Sequence, residues 1–265
     1  MIPVTKASQI IDALIAVLGE REPSIFALNR IEQDALALIR NGANPSEGHM
    51  LMGAVAALRF DADSFNDRFR IAKSLSADRH IRLNYSVMCN RLGLITSAFE
   101  EGRSLFERYP DDIAIVKAAQ LTFMQSLNFD LMIEVEGHLQ KLGVPEDKVH
   151  GIPSKRFAEV AQRVREKSVG HDAILERLEV ASKILRDYRE PIFGTLFDIG
   201  QYGRIGYAFA VKADIEKMTE LNFAIVDAVV EKFDDTLADI FTISCLVTRH
   251  ELQPTRIFEP RPEAL

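Results

Sequence analysis

Residues 80–110 read HIRLNYSVMCNRLGLITSAFEEGRSLFERYP, and the fold follows from how this stretch divides. Apolar residues recur at helical spacing on both sides of GLITS (93–97), and the second run stops at Pro110, which cannot continue a helix. The unit is a pair of helices joined by a short break, a helical hairpin.

The same punctuation recurs along the chain. NGANPSEG around Pro45, LSADRH around Asp78, RYPDD around Pro110 and GVPED around Pro145 follow one another at spacings of 33, 32 and 35 residues. Between successive marks lie two helix-length patterns, split by FDADS at 60–64, by GLITS, and by NFD at 128–130. In this reading Leu58, Leu92 and Leu127 end the first helix of each unit, and Phe65 and Phe99 follow seven residues after the first two. A longer hairpin spans residues 6–41, with Gly42 as its C-terminal cap. One hairpin cannot hide its apolar stripe alone, so neighbours stack and bury a core between them. The expectation is a mainly α chain with a helical-repeat domain over residues 1–148.

This segment, roughly residues 6–142, resembles the tetratricopeptide-repeat superfamily, whose units are helix pairs of about 34 residues ending near a proline. In residues 80–110, Gly93 takes the family's small position between the helices, Ala98 the small position early in the second helix, and Pro110 the terminal proline. The chain has no Trp, Leu105 stands at the late small position, and Asn128 and Ile133 stand at the small positions of the next unit, which matches a looser relative of that superfamily. The resemblance implies a right-handed α-solenoid whose first helices line a groove for a partner protein or peptide. Carried over by position, it places Arg59, Asn90, Arg91, Thr122 and Gln125 in that groove, where Arg and Asn suit directed hydrogen bonds to a peptide backbone or carboxylate. Charge reversal at Arg91 is then expected to abolish capture without loss of fold.

After Pro145 the pattern changes. The polar connection EDKVHGIPSKR leads into two helices, about 154–167 and 171–188, the second stopped by Pro191. IFGTLFDI, the glycine-rich GQYGRIG, RIGYAFAVKA, a helix over about 215–233 and LADIFTISCLVTR complete the chain. Ile205, Tyr207, Phe209 and Val211 alternate with Gly206, Ala208 and Ala210, and Phe241, Ile243, Cys245 and Val247 alternate with Thr242 and Ser244. Over 149–265 this predicts a helical connection and a small α+β domain, helix-strand-strand-helix-strand, with a three-stranded sheet and one face under helix 215–233. GQYGRIG reads as a tight turn between antiparallel strands: Gly200 and Gly203 bracket it, and Gly206 falls on the small face of the second strand, where it admits a close neighbour. No helix dipole follows it and no phosphate motif runs through it. That small face is expected to receive a repeat helix or a second copy of the chain, and an open edge strand invites pairing with another chain.

The composition bounds the function. A formal net charge of −7 gives no electrostatic basis for non-specific binding to nucleic acid or an anionic membrane. The basic run Lys155, Arg156, Arg163, Arg165 and Lys167 alternates with Glu159 and Glu166 as a solvated helix face does. Cys89 and Cys245 lie far apart in apolar segments and read as reduced core thiols, and no apolar run reaches the ~18 residues of a membrane span. The expectation is a soluble, cytoplasmic protein.

No GxSxG, HExxH, CxxC or Walker sequence is present, and no cofactor or metal is expected. Asp227, Glu231, Asp234 and Asp235 could hold a divalent cation but read better as a solvated helix end. An adaptor or scaffold that captures a protein or peptide is the favoured function, with the C-terminal domain for dimerisation or docking. A small hydrolase or nuclease using Arg204, Tyr207, Lys212, Asp214 and His250, which follow no motif, stays open, as does an acidic inhibitor of immunity or antitoxin type.

Overall fold

The structure is a computed structural model, and it describes residues 6–145, 154–199 and 204–247. The chain is mainly helical, with a small sheet near its C-terminus. Among the described residues it divides into two compact units, one ending at Met88 and one beginning at Cys89.

In the first unit, α1 (Lys6–Leu18), α2 (Ile25–Arg40), α3 (Pro45–Leu58) and α4 (Ala62–Leu75) pack consecutively, followed by the first part of α5 (Arg79–Leu92). Helix α3 is apolar nearly all round, because it is buried between α2 and α4. Its glycines permit the approach on both sides. A Cβ on Gly48 would lie 2.6 Å from Ile39 of α2, and one on Gly53 would lie 2.6 Å from the Phe69 ring of α4. Phe65 and Phe69 meet edge to face at 5.1 Å, and Tyr85 of α5 stacks on Phe65 at 5.2 Å.

The second unit holds the end of α5, then α6 (Ile95–Arg108), α7 (Ile113–Gln125), α8 (Phe129–Lys141), α9 (Ser154–Glu166) and α10 (His171–Asp187). Strands β1 (Gly194–Ile199) and β2 (Ile205–Val211), helix α11 (Ile215–Lys232) and strand β3 (Phe241–Val247) follow. A single hydrophobic core runs from Ile95 to Cys245. Sequence reading divides the chain at 148, but residues on both sides of that point share this core, and the unit boundary falls inside α5.

The 34-residue period is present in the elements: α3, α5 and α7 begin at Pro45, Arg79 and Ile113. Asn44, Asp61, Asp112 and Asn128 cap α3, α4, α7 and α8 by accepting from backbone N–H groups. Each intra-hairpin break carries a left-handed residue, Phe60 (φ 56°), Gly93 (φ 67°) and Leu127 (φ 53°), closed by the same pair of backbone hydrogen bonds. Leu58 and Leu92 do end α3 and α5, whereas Leu127 is the turn residue and α7 stops at Gln125, so the phase slips there. Gly42 (φ 65°) ends α2 as expected.

The sheet has three strands among the described residues, in the order β1-β2-β3. β1 and β2 pair antiparallel, Ile199 opposite Ile205, and β2 and β3 pair parallel, Ile205 opposite Phe241, so α11 serves as the crossover. Ile205, Tyr207, Phe209 and Val211 are fully buried on the face that joins the helical core, and Leu221, Ile225 and Val229 of α11 are buried in turn.

Candidate functional site

The positions expected in a groove are occupied by the chain itself. In the first unit, Arg59 bonds Asn29 at 2.7 Å and pairs with Glu32 at 2.8 Å, tying the end of α3 to α2. In the second unit, the Arg91 guanidinium stacks 4.0 Å above the Phe193 ring, and the Arg91 carbonyl accepts from the Ile192 N–H. Thr122 is buried, donates to the Ala118 carbonyl and packs where Gly102 leaves space. The Gln125 carbonyl accepts from the Tyr207 hydroxyl at 2.9 Å. Asn90 is half-buried beside Arg91, with its side-chain oxygen enclosed. The ends of α5 and α7 therefore meet the segment before β1 and strand β2.

Electrostatics agree with that placement. Burial lowers the Arg91 pKa to about 10, opposed by the charge of buried Glu190. Burial, reinforced by Glu190, pushes the Cys245 thiol up to about 12, which leaves it an inert core thiol. Arg91 therefore balances a buried carboxylate. A glutamate in its place would bury like charge beside Glu190, so charge reversal at Arg91 is expected to lower stability, read as a lower urea midpoint.

The scattered polar candidates do not assemble into a reaction centre. Tyr207 is fully buried and its phenol is driven well above its ordinary pKa by desolvation. Asp214 caps α11 by accepting from the Lys217 N–H at 2.8 Å, Lys212 lies 4.6 Å above the Phe193 ring, Arg204 is exposed before β2, and His250 lies outside the described residues. Asp227, Glu231, Asp234 and Asp235 are all exposed, and among the described residues no group of acidic, His or Cys side chains converges as an ion site requires. Gly200 and Gly203 also lie outside the described residues. Gly206 sits opposite Asp198 and Thr242, is exposed, and has only the Asp198 carbonyl at 4.0 Å from an added Cβ among the described residues, so no close neighbour explains it.

What the sequence reading missed is on α11. Its buried stripe, Leu221, Ile225 and Val229, is the expected one. A second stripe, Ile215 (69% exposed), Phe223 (68%), Val226 (52%) and Val230 (60%), faces away from the core. The signal was available, since 223, 226 and 230 keep helical spacing of their own. Between this stripe and β3 lies a cleft of about 240 Å³, lined by Val226, Val230, Phe241 and Ile243 among others. Arg177 is buried, bonds the Ala173 and Asp235 carbonyls and stacks 4.1 Å from the Phe233 ring. On the other face of the sheet, Leu196 and Leu246 stand exposed on the two outer strands, on either side of Ala208 and Ala210.

No protein-family model matches this chain, and no match was found among the curated proteins or the solved structures with which it was compared. The class defined by fold and surface is a mainly helical protein of consecutively packed helices with a small C-terminal sheet and an exposed apolar stripe on α11.

Proposed function

We propose that this chain is a protein-binding adaptor of the cytoplasm. The hairpins form a right-handed, tetratricopeptide-like array that serves as scaffold, and the α+β portion carries the binding surface. The observation behind this reading is the exposed stripe Ile215, Phe223, Val226 and Val230 beside an apolar cleft. Apolar side chains so grouped lose contact with water only when something covers them.

Affinity purification of the full chain from its host, followed by mass spectrometry, tests the proposal. A stoichiometric partner retained by the wild type and lost in the Phe223→Glu/Val230→Glu double variant, with unchanged thermal unfolding, supports it. A reproducible turnover abolished by substitution in residues 194–247, with no partner recovered, overturns it in favour of a hydrolase or nuclease.

A second reading concerns the other sheet face, where exposed Leu196 and Leu246 suit a second copy of the chain. Light scattering on the purified protein decides it. A mass near twice 29.8 kDa that returns to 29.8 kDa in Leu196→Glu supports dimerisation, and a concentration-independent monomer rejects it.

A further inference from the structure

We propose that Asn222 closes the outer edge of β3. Its carboxamide stands in for a neighbouring strand, and without it a second copy of the chain pairs with that edge. The device acts whether or not α11 has a partner.

The backbone shows which groups of β3 face outward. β2 and β3 pair parallel, and the Ile205 N–H donates to the Ile240 carbonyl at 2.8 Å, so residue 240 faces β2. Successive residues of a strand aim their N–H and C=O groups at opposite edges. Thr242, Ser244 and Leu246 therefore also face β2, and Phe241, Ile243 and Cys245 face outward. β3 ends the strand order β1-β2-β3, and among the described residues no strand meets this edge.

The chain itself occupies most of it. The Cys245 N–H donates to the Asn222 side-chain oxygen at 2.6 Å, and the Cys245 carbonyl accepts from the Asn222 side-chain nitrogen at 3.2 Å. One carboxamide thus makes both bonds that a paired strand residue would make. At the start of the strand the Phe241 N–H donates to the Leu237 carbonyl at 3.0 Å. Ile243 lies between, and among the described residues its outward N–H and C=O meet no partner. An incoming strand finds a single open residue, too little for a ladder.

The residue type fits this use. Asn is poorly suited to a helix interior, because its carboxamide competes for backbone hydrogen bonds. Asn222 nevertheless stands within α11 beside buried Leu221, and it spends both amide groups on β3. Cys245 is fully buried, so its two outward backbone groups require partners. A side chain that supplies them satisfies the edge without presenting a new one, as an added strand would.

Light scattering on the full chain over a range of concentrations, with the wild type's own mass as reference, tests the inference. Asn222→Ala is expected to gain mass with concentration, reaching about double the wild-type value or more, because Ile243 and Cys245 then offer a continuous edge. Asn222→Asp keeps an acceptor for the Cys245 N–H, loses the donor to its carbonyl and places a charge at the edge. It is expected to lower the urea midpoint and keep the wild-type mass. Ile243→Pro removes an outward N–H that pairing with β2 does not use, so Asn222→Ala/Ile243→Pro is expected to return to the wild-type mass. A wild-type mass for folded Asn222→Ala overturns the inference. Association of Asn222→Asp or of the double variant to the same extent as Asn222→Ala also overturns it, since lost stability or another surface is then the cause. If Asn222→Ala does not fold, amide exchange in the wild type decides. The Cys245 N–H is expected to exchange at least about tenfold more slowly than that of Ile243, and equal rates overturn the closure.

Discussion

His171 begins α10 with its ring 4.7 Å from Phe99 and its Nε2 donating to the Ser126 carbonyl at 2.9 Å. Burial lowers its pKa from the ordinary 6.5, outweighing the favourable effects of that carbonyl and of Asp172 on the charged ring. Between the folded and unfolded values the unfolded chain binds the extra proton, so stability rises with pH there. The contribution is complete above 6.5 and is lost as pH falls through 6.5 towards the lower folded value. Urea unfolding between pH 7.5 and 5.5, on the order of one unit either side of the ordinary histidine pKa, is expected to show a falling midpoint for the wild type. The slope is expected to be shallower in His171→Gln. A parallel pair of curves refutes the assignment. Nothing in the one-dimensional pattern singles out His171, because its burial comes from Phe99 and Ser126, far away in sequence.

The hairpin breaks show how one element shape is reached from different residues. Phe60, Gly93 and Leu127 share the left-handed turn, yet only Gly93 lacks a side chain. A Cβ at Gly93 would lie 2.9 Å from the Ser182 Cβ and 3.1 Å from the Ile192 Cδ1, while the Gly93 carbonyl accepts from the Ser182 hydroxyl and from Arg186. Gly93→Ala therefore combines a left-handed penalty of about 1–2 kcal/mol with overpacking of about 1–3 kcal/mol. A total loss of about 2–5 kcal/mol is expected, read as a lower urea midpoint at unchanged m-value. An unaltered midpoint refutes the contact. The helices, their breaks and the strands were legible because each has a local cause: apolar period, capping Asn or Asp, and proline stops. The slip at Leu127 was not, since a leucine rather than a glycine stands at that left-handed turn.

At the scale of the molecule, residues 95–245 form one core across the point where the sequence changes character. A chain ending at residue 148 keeps α6, α7 and α8 but loses α9, which packs on α8, and the rest of the shared core beyond it. It is expected to aggregate or to bind a hydrophobic dye more strongly than the full chain; a cooperative fragment with no more dye binding than the full chain would show that the core divides there after all. The surroundings of these positions were the least legible, because Arg91, Thr122 and Gln125 look like surface polar residues until Phe193, Gly102 and Tyr207 are placed against them. By itself the sequence determined the elements, their 34-residue period in the hairpins, the order of the α+β segment and the acidic balance, since propensity, periodicity and turn chemistry act within a few residues. Only the tertiary structure decided which polar residues are spent inside the chain and which apolar ones are left outside. Burial depends on what packs across a hundred residues of sequence, and it made Arg91 a buried ion and left the outer stripe of α11 exposed.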